Sequence, residues 1–478
     1  MLPILLSEGT FLDGLIYAIL ARNLAAGVGS FWAPHFSVTT QNQWFEHPPL
    51  GLNIQSVFYR LLGEGVWVEQ VHSLVTGLVC GVLIVVLWRQ VTARYRPLRP
   101  LVWLPVLLWL MNPQVTWAFS NNMLENTMTI FTLAAVIMLL RSCRDGRFRA
   151  VDLLLGAAAI VAAFFTKGFA GLFPLGTLLA YQIGTGQPGW RRTAGRTFLL
   201  VACVAALAAL VLAIPAARHN IGQYLDIQFL SSLKGARGDS GNRFIYLSKL
   251  LNTLLPMLGA TFLVALLGWR KRVLSAVGKE HLGWALTFLL LALAGSVPLV
   301  VSPRQSVFYV LTSFPFYGMA AALSVAGIVA ELVGRLEARP RMLRVMQVVA
   351  VLLLVAATGL SATKIGTYNR SETLTRDVKV IGAYVRSAVE APAGSEYEVG
   401  VCRRLWTDWP LESNLARYHR LAMARNDSTM PFVLVLGGCA DDLGADYQRV
   451  DLATGEYDLY ARRTSPQPAG GPGSGAGK

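Results

Sequence analysis

LVTGLVCGVLIVVLWRQVTARYRPLR, Leu74 to Arg99, joins a fifteen-residue apolar run to a link carrying four arginines. About twenty apolar residues cross a bilayer as a helix, and this run, with the residues just before it, comes close to that length. VMQVVAVLLLVAATGL, Val345 to Leu360, reads the same way. The composition agrees. Of 478 residues, 54% are hydrophobic and only 14% charged, where a soluble chain carries roughly a quarter. Mean hydropathy is +0.49. The chain is read as a polytopic α-helical membrane protein.

The formal net charge is +15, and its placement matters more than its size. Apolar windows mark about ten spans near 69–89, 100–119, 123–141, 150–166, 168–185, 196–216, 248–268, 281–301, 306–333 and 343–363. Alternate links are basic: RQVTARYRPLR, RSCRDGRFR, WRRTAGR, WRKRVLSAVGK and GRLEARPRMLR. Short loops rich in Lys and Arg stay in the cytoplasm, so the charge sets topology. No basic stripe interleaves with aromatics as nucleic-acid binding requires. The remaining links, the first 68 residues and everything after 364 then share the extracytoplasmic face. Residue 1 would lie outside with nothing upstream to carry it there, and MLPILLSEG lacks the features of a signal peptide. A preceding transmembrane helix is therefore expected to be missing.

Four regions follow. Residues 1–68 form an extracytoplasmic catalytic loop with interfacial helices, the first over Phe11–Ala26, with Arg22 and Asn23 off its apolar face. Residues 69–363 hold the spans. Residues 364–463 read as an extracytoplasmic α/β domain, with a helix from Arg376 to Glu390, buried strands in YEVGVC and FVLVLGG, and an edge strand in YDLYAR. Residues 464–478 are a disordered tail. The five cysteines show no metal-ligand spacing. Cys402 and Cys439, near strand ends in the outer domain, are candidates for a disulfide.

On the outer face the unusual polar residues gather. Asp13 begins the first interfacial helix; it is placed to cap it or to take a proton from an acceptor. WFEHPPLG, Trp44 to Gly51, sets Glu46 and His47 before two prolines that stiffen the loop. The plain reading is a solvated loop; the functional one is an acid and an imidazole gripping a headgroup or a divalent metal. Glu125 opens a span in SNNMLENTMTIF, and ionisable groups at membrane depth default to function, against a helix-terminus carboxylate. Lys167 lies where AAIVAAFFTKGFAGLFPLG breaks into two half-length runs, a setting for a lipid phosphate as well as for snorkelling. Arg304, in VVSPRQSVFYVL, offers a guanidinium that matches phosphate oxygens. His219 and Arg243, on the polar loop 217–247, are further substrate-binding candidates.

D-G-L-I-Y-A-x-x-A-R-N from Asp13, F-W-A-P from Phe31, F-E-H-P-P-L from Phe45, M-L-E-N from Met123, T-K-G-x-x-x-L-x-P from Thr166 and R-x-x-x-x-Y-x-L-x-x-x-P from Arg304 occur in that order over residues 8–320. This set resembles glycosyltransferase family 39, which includes protein O-mannosyltransferases and the bacterial transferases that move aminoarabinose from undecaprenyl phosphate to lipid A. The resemblance implies a C-type glycosyltransferase fold in the bacterial inner membrane. It also implies inverting transfer from a polyprenyl-phosphate sugar to an extracytoplasmic lipid, glycan or protein. Asp13, Glu46 and Glu125 would then be catalytic, and His47, Lys167, Arg304, Tyr309, His219 and Arg243 substrate-binding. Glu46 and His47 are also the candidate metal ligands. Asp13-Gly14 stands where some relatives carry two acids, and His47 where the aminoarabinose enzymes carry lysine. A transporter or flippase of lipid-linked saccharide is the alternative, with neither inverted repeats nor inner-leaflet charges in its favour.

Overall fold

The computed structural model describes residues 1–143, 148–230, 244–270, 281–302, 305–389, 392, 394–425, 429–437, 439–440 and 443–465. Among them the helices of ten or more residues are α1 (Leu12–Ala25), α2 (Leu50–Leu62), α3 (Val68–Val91), α4 (Leu124–Ser142), α5 (Ala150–Lys167), α6 (Trp190–Leu212), α7 (Pro215–Tyr224), α8 (Phe244–Arg270), α9 (His281–Ser296), α10 (Phe314–Glu337), α11 (Pro340–Ala362), α12 (Glu372–Ala388) and α13 (Trp409–His419). Two compact units divide the chain. One comprises Met1–Leu2, Phe45–Gly51 and Val71–Thr363; the other comprises Pro3–Trp44, Leu52–Gln70 and Lys364–Lys478.

The first unit is the membrane part. Eight helices among the described residues are long and apolar enough to cross a bilayer. The apolar segments at 100–119 and 168–185 are helical but broken. Trp103–Leu110 and Pro113–Ala118 part at Asn112, whose extended backbone is what a following proline demands. The Asn112 amide donates to the carbonyls of Leu108 and Trp109, at 3.2 and 3.0 Å, covering groups the break releases. The second segment runs as a 3-10 helix over Phe169–Gly176, with Pro174 inside, and then as a helix over Thr177–Thr185. Gly184 there meets Gly283 and Thr287 of α9 so closely that a Cβ on either glycine would strike the facing backbone. Small residues at crossings let membrane helices approach in this way.

Helices α4 and α5 form an antiparallel hairpin. Ala135 and Leu139 pack against Leu153, Ala157 and Ile160 in a buried seam. At the link end Arg141 lies 3.7 Å from Asp152. At the other end, sixteen residues or about 24 Å away at 1.5 Å per residue, Glu125 meets Lys167. Arg89 and Arg99 share one cavity with Arg141 and Arg149. The first two basic links therefore occupy the same end of the unit, opposite Glu125.

The second unit contains a five-stranded sheet of β3 (Tyr397–Val401), β4 (Leu421–Arg425), β5 (Phe432–Leu436), β6 (Tyr447–Arg449) and β7 (Tyr457–Arg462), after a small antiparallel pair of β1 (Gly29–Ser30) and β2 (Ala33–Pro34). Its order is β4-β3-β5-β7-β6. Strand β3 is parallel to β4 and β5, while β7 is antiparallel to β5 and β6. Parallel β3 and β4 need a crossover, which α13 supplies. The helix α12 turns Leu374, Val378, Ile381 and Val385 into the core beside Val399, Phe432 and Leu434. Its Asp377 accepts from the amides of Gly455, Glu456 and Tyr457 at 2.7–3.1 Å, fixing the approach to β7.

Three expectations change here. YDLYAR is not an edge strand: β7 lies inside the sheet, bonded to β5 and β6, with Tyr457, Leu459 and Ala461 buried. Helix α1 is enclosed from Gly14 to Leu24 rather than lying on a surface. Its Arg22 is buried because it donates to the carbonyls of Ala416 and Arg417 at the end of α13, both at 2.9 Å. Asn23 is buried because it donates to the His35 carbonyl. Cys402 and Cys439 are buried free thiols, not a disulfide. Burial and the hydrogen bond between them raise the Cys402 pKa.

Candidate active site

Glu125 owes its place to the start of α4. Met123 takes an extended conformation and the helix begins at Leu124, so Glu125 falls in the first turn. Lys167 owes its place to the end of α5, which stops because Gly168 has φ +91°, a value side chains disfavour. The Tyr224 hydroxyl fills the space a Cβ on Gly168 would need. The two ends bring Lys167 Nζ to 2.7 Å from Glu125 Oε1, with side-chain exposures of 7% and 0%. Charges so deeply buried are tolerated only as a pair. Both the Phe308 and the Tyr309 ring centroids lie 5.9 Å from Nζ, within cation–π range.

The loop with Glu46 and His47 is pinned at both ends. Before it, the Phe45 ring stands edge-on to His219 at 5.3 Å. After it, a Cβ on Gly51 would lie 2.8 Å from Leu124 and 2.9 Å from Thr166. Those residues directly precede Glu125 and Lys167. A side chain at Gly51 would have to displace the Leu124 and Thr166 methyls, so glycine lets the end of this loop press against the start of α4 and the end of α5. Glu46 and His47 are half-buried. The turn before α4 is held by side-chain amides: Asn121 to the Trp117 carbonyl at 2.8 Å, and Asn126 to the Ala118 carbonyl at 3.0 Å. Asn122, at φ +53°, lies 3.1 Å from Nδ1 of the buried His72.

Of the residues singled out in the sequence, Glu125, Lys167 and Tyr309 come together directly. The Glu46–His47 loop and His219 join them through Gly51 and Phe45. Asp13 belongs to the second unit, half-exposed in the first turn of α1. It does not cap the helix; Phe11 holds that position. Arg304 and Arg243 lie outside the described residues. The sequence reading passed over Phe308, Phe45 and Tyr224. No local signal in the sequence points from Gly168 to Tyr224, because their contact is made by packing between separate elements. Glu46 and His47 give two donors, and among the described residues no group of three or more His, Cys, Asp or Glu side chains is placed to hold a metal ion.

Chemically, the arrangement is a buried ammonium paired with a buried carboxylate, shelved by two aromatic rings and flanked by the end of a stiff acidic loop. It suits a ligand that brings its own negative charge.

Residues 46–217 match the family model described as dolichyl-phosphate-mannose-protein mannosyltransferase. That span contains Glu46, His47, Glu125 and Lys167. In fold, the chain is similar to ArnT from Cupriavidus metallidurans bound to undecaprenyl phosphate, at 17% identity and a TM-score of 0.64 over 96% of this chain and 95% of that one. The apo state of ArnT gives 16%, 0.57, 95% and 94% in the same order. No curated protein matches the sequence. The transporter alternative finds no support in these likenesses.

Proposed function

We propose that this chain is a membrane glycosyltransferase of family-39 type and that it moves a sugar from a polyprenyl-phosphate donor to a lipid, glycan or protein acceptor on the extracytoplasmic face. The observation that carries the reading is the buried Lys167–Glu125 pair at the break after α5, inside the segment that matches the family model. A lipid phosphate offers Lys167 the charge it otherwise takes from Glu125. Nucleotide sugars are absent outside the cell, so a lipid-linked donor suits that face. Undecaprenyl phosphate, to which ArnT is bound in its crystal structure, is of this class. Sidedness is supported by the basic links, two of which share the end opposite Glu125.

In the proposed step an acceptor hydroxyl attacks the anomeric carbon and the carbon–oxygen bond to phosphate breaks. The lipid phosphate leaves with the bonding pair, and the hydroxyl proton passes to a carboxylate. Asp13 is assigned that carboxylate on its place in the family-like motif. Lys167 stabilises the charge growing on the phosphate. Displacement from the opposite face inverts the anomeric centre and needs one base. The Glu46–His47 loop and Tyr309 orient the donor headgroup, and His219 orients Phe45.

The test is the Asp13→Asn variant in vesicles with a polyprenyl-phosphate sugar. Transfer is abolished while folding and donor binding persist; near-normal turnover would remove Asp13 from this role. Mass spectrometry of lipids and glycans from cells with and without the protein identifies the sugar, through a lost product and an accumulated precursor.

A further inference from the structure

We propose that the arginine-lined pocket at the end of the membrane unit opposite Glu125 binds the phosphate of an anionic membrane lipid. Four guanidiniums from separate elements converge there: Arg89 in the last turn of α3, Arg99 on the following link, Arg141 in the last turn of α4 and Arg149 just before α5. The cavity they line has a volume of about 700 Å³, inside the roughly 300–1,000 Å³ range of ligand cavities and far more than one phosphate fills. Among the described residues the carboxylate within ion-pair range of them is Asp152, 3.7 Å from Arg141 and 3.9 Å from Arg149. Among the described residues, four positive charges thus line the cavity with one carboxylate in ion-pair range, at distances beyond a hydrogen bond. Arg141 and Arg149 remain 44% and 49% exposed, available to a ligand. Arg99 donates to the Ala93 carbonyl, and Gln90 donates to the Ile137 carbonyl at 3.3 Å. The latter bond ties the end of α3 to α4 beside the pocket.

Cytoplasmic arginines need no pocket to set topology. Like charges left to themselves spread apart, and here the fold gathers them around a hollow. The neighbouring surface indicates what enters it. Val75, Val79, Val82 and Val86 of α3, exposed by 37–62%, recur at helical spacing and end at Val86, which lines the pocket beside Arg89. An apolar track that leads to a cationic hollow matches an acyl chain joined to a phosphate headgroup. Basic pockets between helices on the inner side of a membrane take such lipids. A free phosphate would use the arginines and leave the track unused.

The test places the full chain in nanodiscs of phosphatidylcholine with a minority of phosphatidylglycerol, then reads retained lipid by native mass spectrometry. Phosphatidylglycerol is retained in preference. The Arg89→Gln/Arg141→Gln variant loses on the order of tenfold or more of that retention, whereas Arg341→Gln on another basic link changes nothing. Equal retention by the double variant, equal retention of phosphatidylcholine, or an equal loss with Arg341→Gln would overturn the proposal. So would displacement by acyl-free glycerophosphoglycerol at the concentration at which intact lipid displaces, since the ligand would then be a soluble phosphate. Should the double variant not fold, Arg89→Gln alone carries the same expectation and the same refutation.

Discussion

Lys167 is the observed partner of Glu125 and, in the proposed function, the ligand of a donor phosphate; the two roles can be separated. Replacing it with methionine keeps most of its volume and removes its charge. Glu125 is then left without its cation at 0% exposure, and breaking a buried pair from one side costs about 3–5 kcal/mol. Glu125→Gln alone strands the ammonium and costs a similar amount. The double variant Glu125→Gln/Lys167→Met strands neither charge, so its stability should return to within about 1–2 kcal/mol of the parent. Donor binding should behave differently. A charge-assisted hydrogen bond is worth about 1.5–3 kcal/mol, or about 10–150-fold in affinity at 1.4 kcal/mol per tenfold, and this loss should persist in the double variant. The assay pairs denaturant unfolding in detergent with titration of polyprenyl-phosphate sugar on all four proteins. If the double variant recovers donor affinity together with stability, Lys167 serves only Glu125 and the phosphate assignment fails.

Two further outcomes concern the second unit. Arg417, itself buried, bonds the buried Glu69 at 2.9 and 3.2 Å and the Gly65 carbonyl at 2.9 Å, so Arg417→Met should destabilise that unit by about 3–5 kcal/mol, read as earlier thermal unfolding and faster proteolysis of residues 364–463. The pH dependence should centre on His35, whose Nε2 lies 2.6 Å from Glu396. That hydrogen bond raises the His35 pKa above 6.5 against burial, so its stabilisation is complete below about 6.5 and fades as pH climbs through the folded value. Burial pushes Glu396 upward, yet the bonds from His35 and the Val38 amide bring it below 4.5, so its share is lost as pH falls through that lowered value. Burial and the charges of Arg386 and Lys379 drive His419 down to about 4; the unfolded chain takes up that proton first, and stability drops between pH 6.5 and 4. Thermal melts should therefore show His35→Gln most damaging between about pH 4.5 and 6.5, and His419→Gln relieving part of the acid loss. A pH-independent difference from the parent would refute either assignment.

What the sequence determined by itself was the membrane character, the alternation of basic links and the punctuation of the helices. These properties are local. An apolar run of some twenty residues, an arginine-rich link, or a glycine after Lys167 acts through its immediate neighbours, whatever the rest of the chain does. The ordered motifs also carried the family likeness, because they are strings of residues. YEVGVC and FVLVLGG were legible as strands for the same reason, being short apolar runs between turn residues.

Tertiary structure decided what those strings meet. Glu125 and Lys167 stand 42 positions apart, and their 2.7 Å approach depends on how α4 and α5 are rotated about their seam. The rings of Phe308 and Tyr309 reach Nζ from another element altogether. Arg22 looked like the wet side of a surface helix, but its guanidinium was already matched to the carbonyls ending α13, nearly four hundred residues later. YDLYAR alternates as an edge strand would, and only hydrogen bonds to β5 and β6 on its two sides placed it within the sheet. Four arginines counted one by one as topology signals became a cavity lining once three helix ends met. Periodicity and charge are functions of one chain position and its neighbours. Partnership between buried polar groups is set by packing angle and register, and these exist only after the chain has folded.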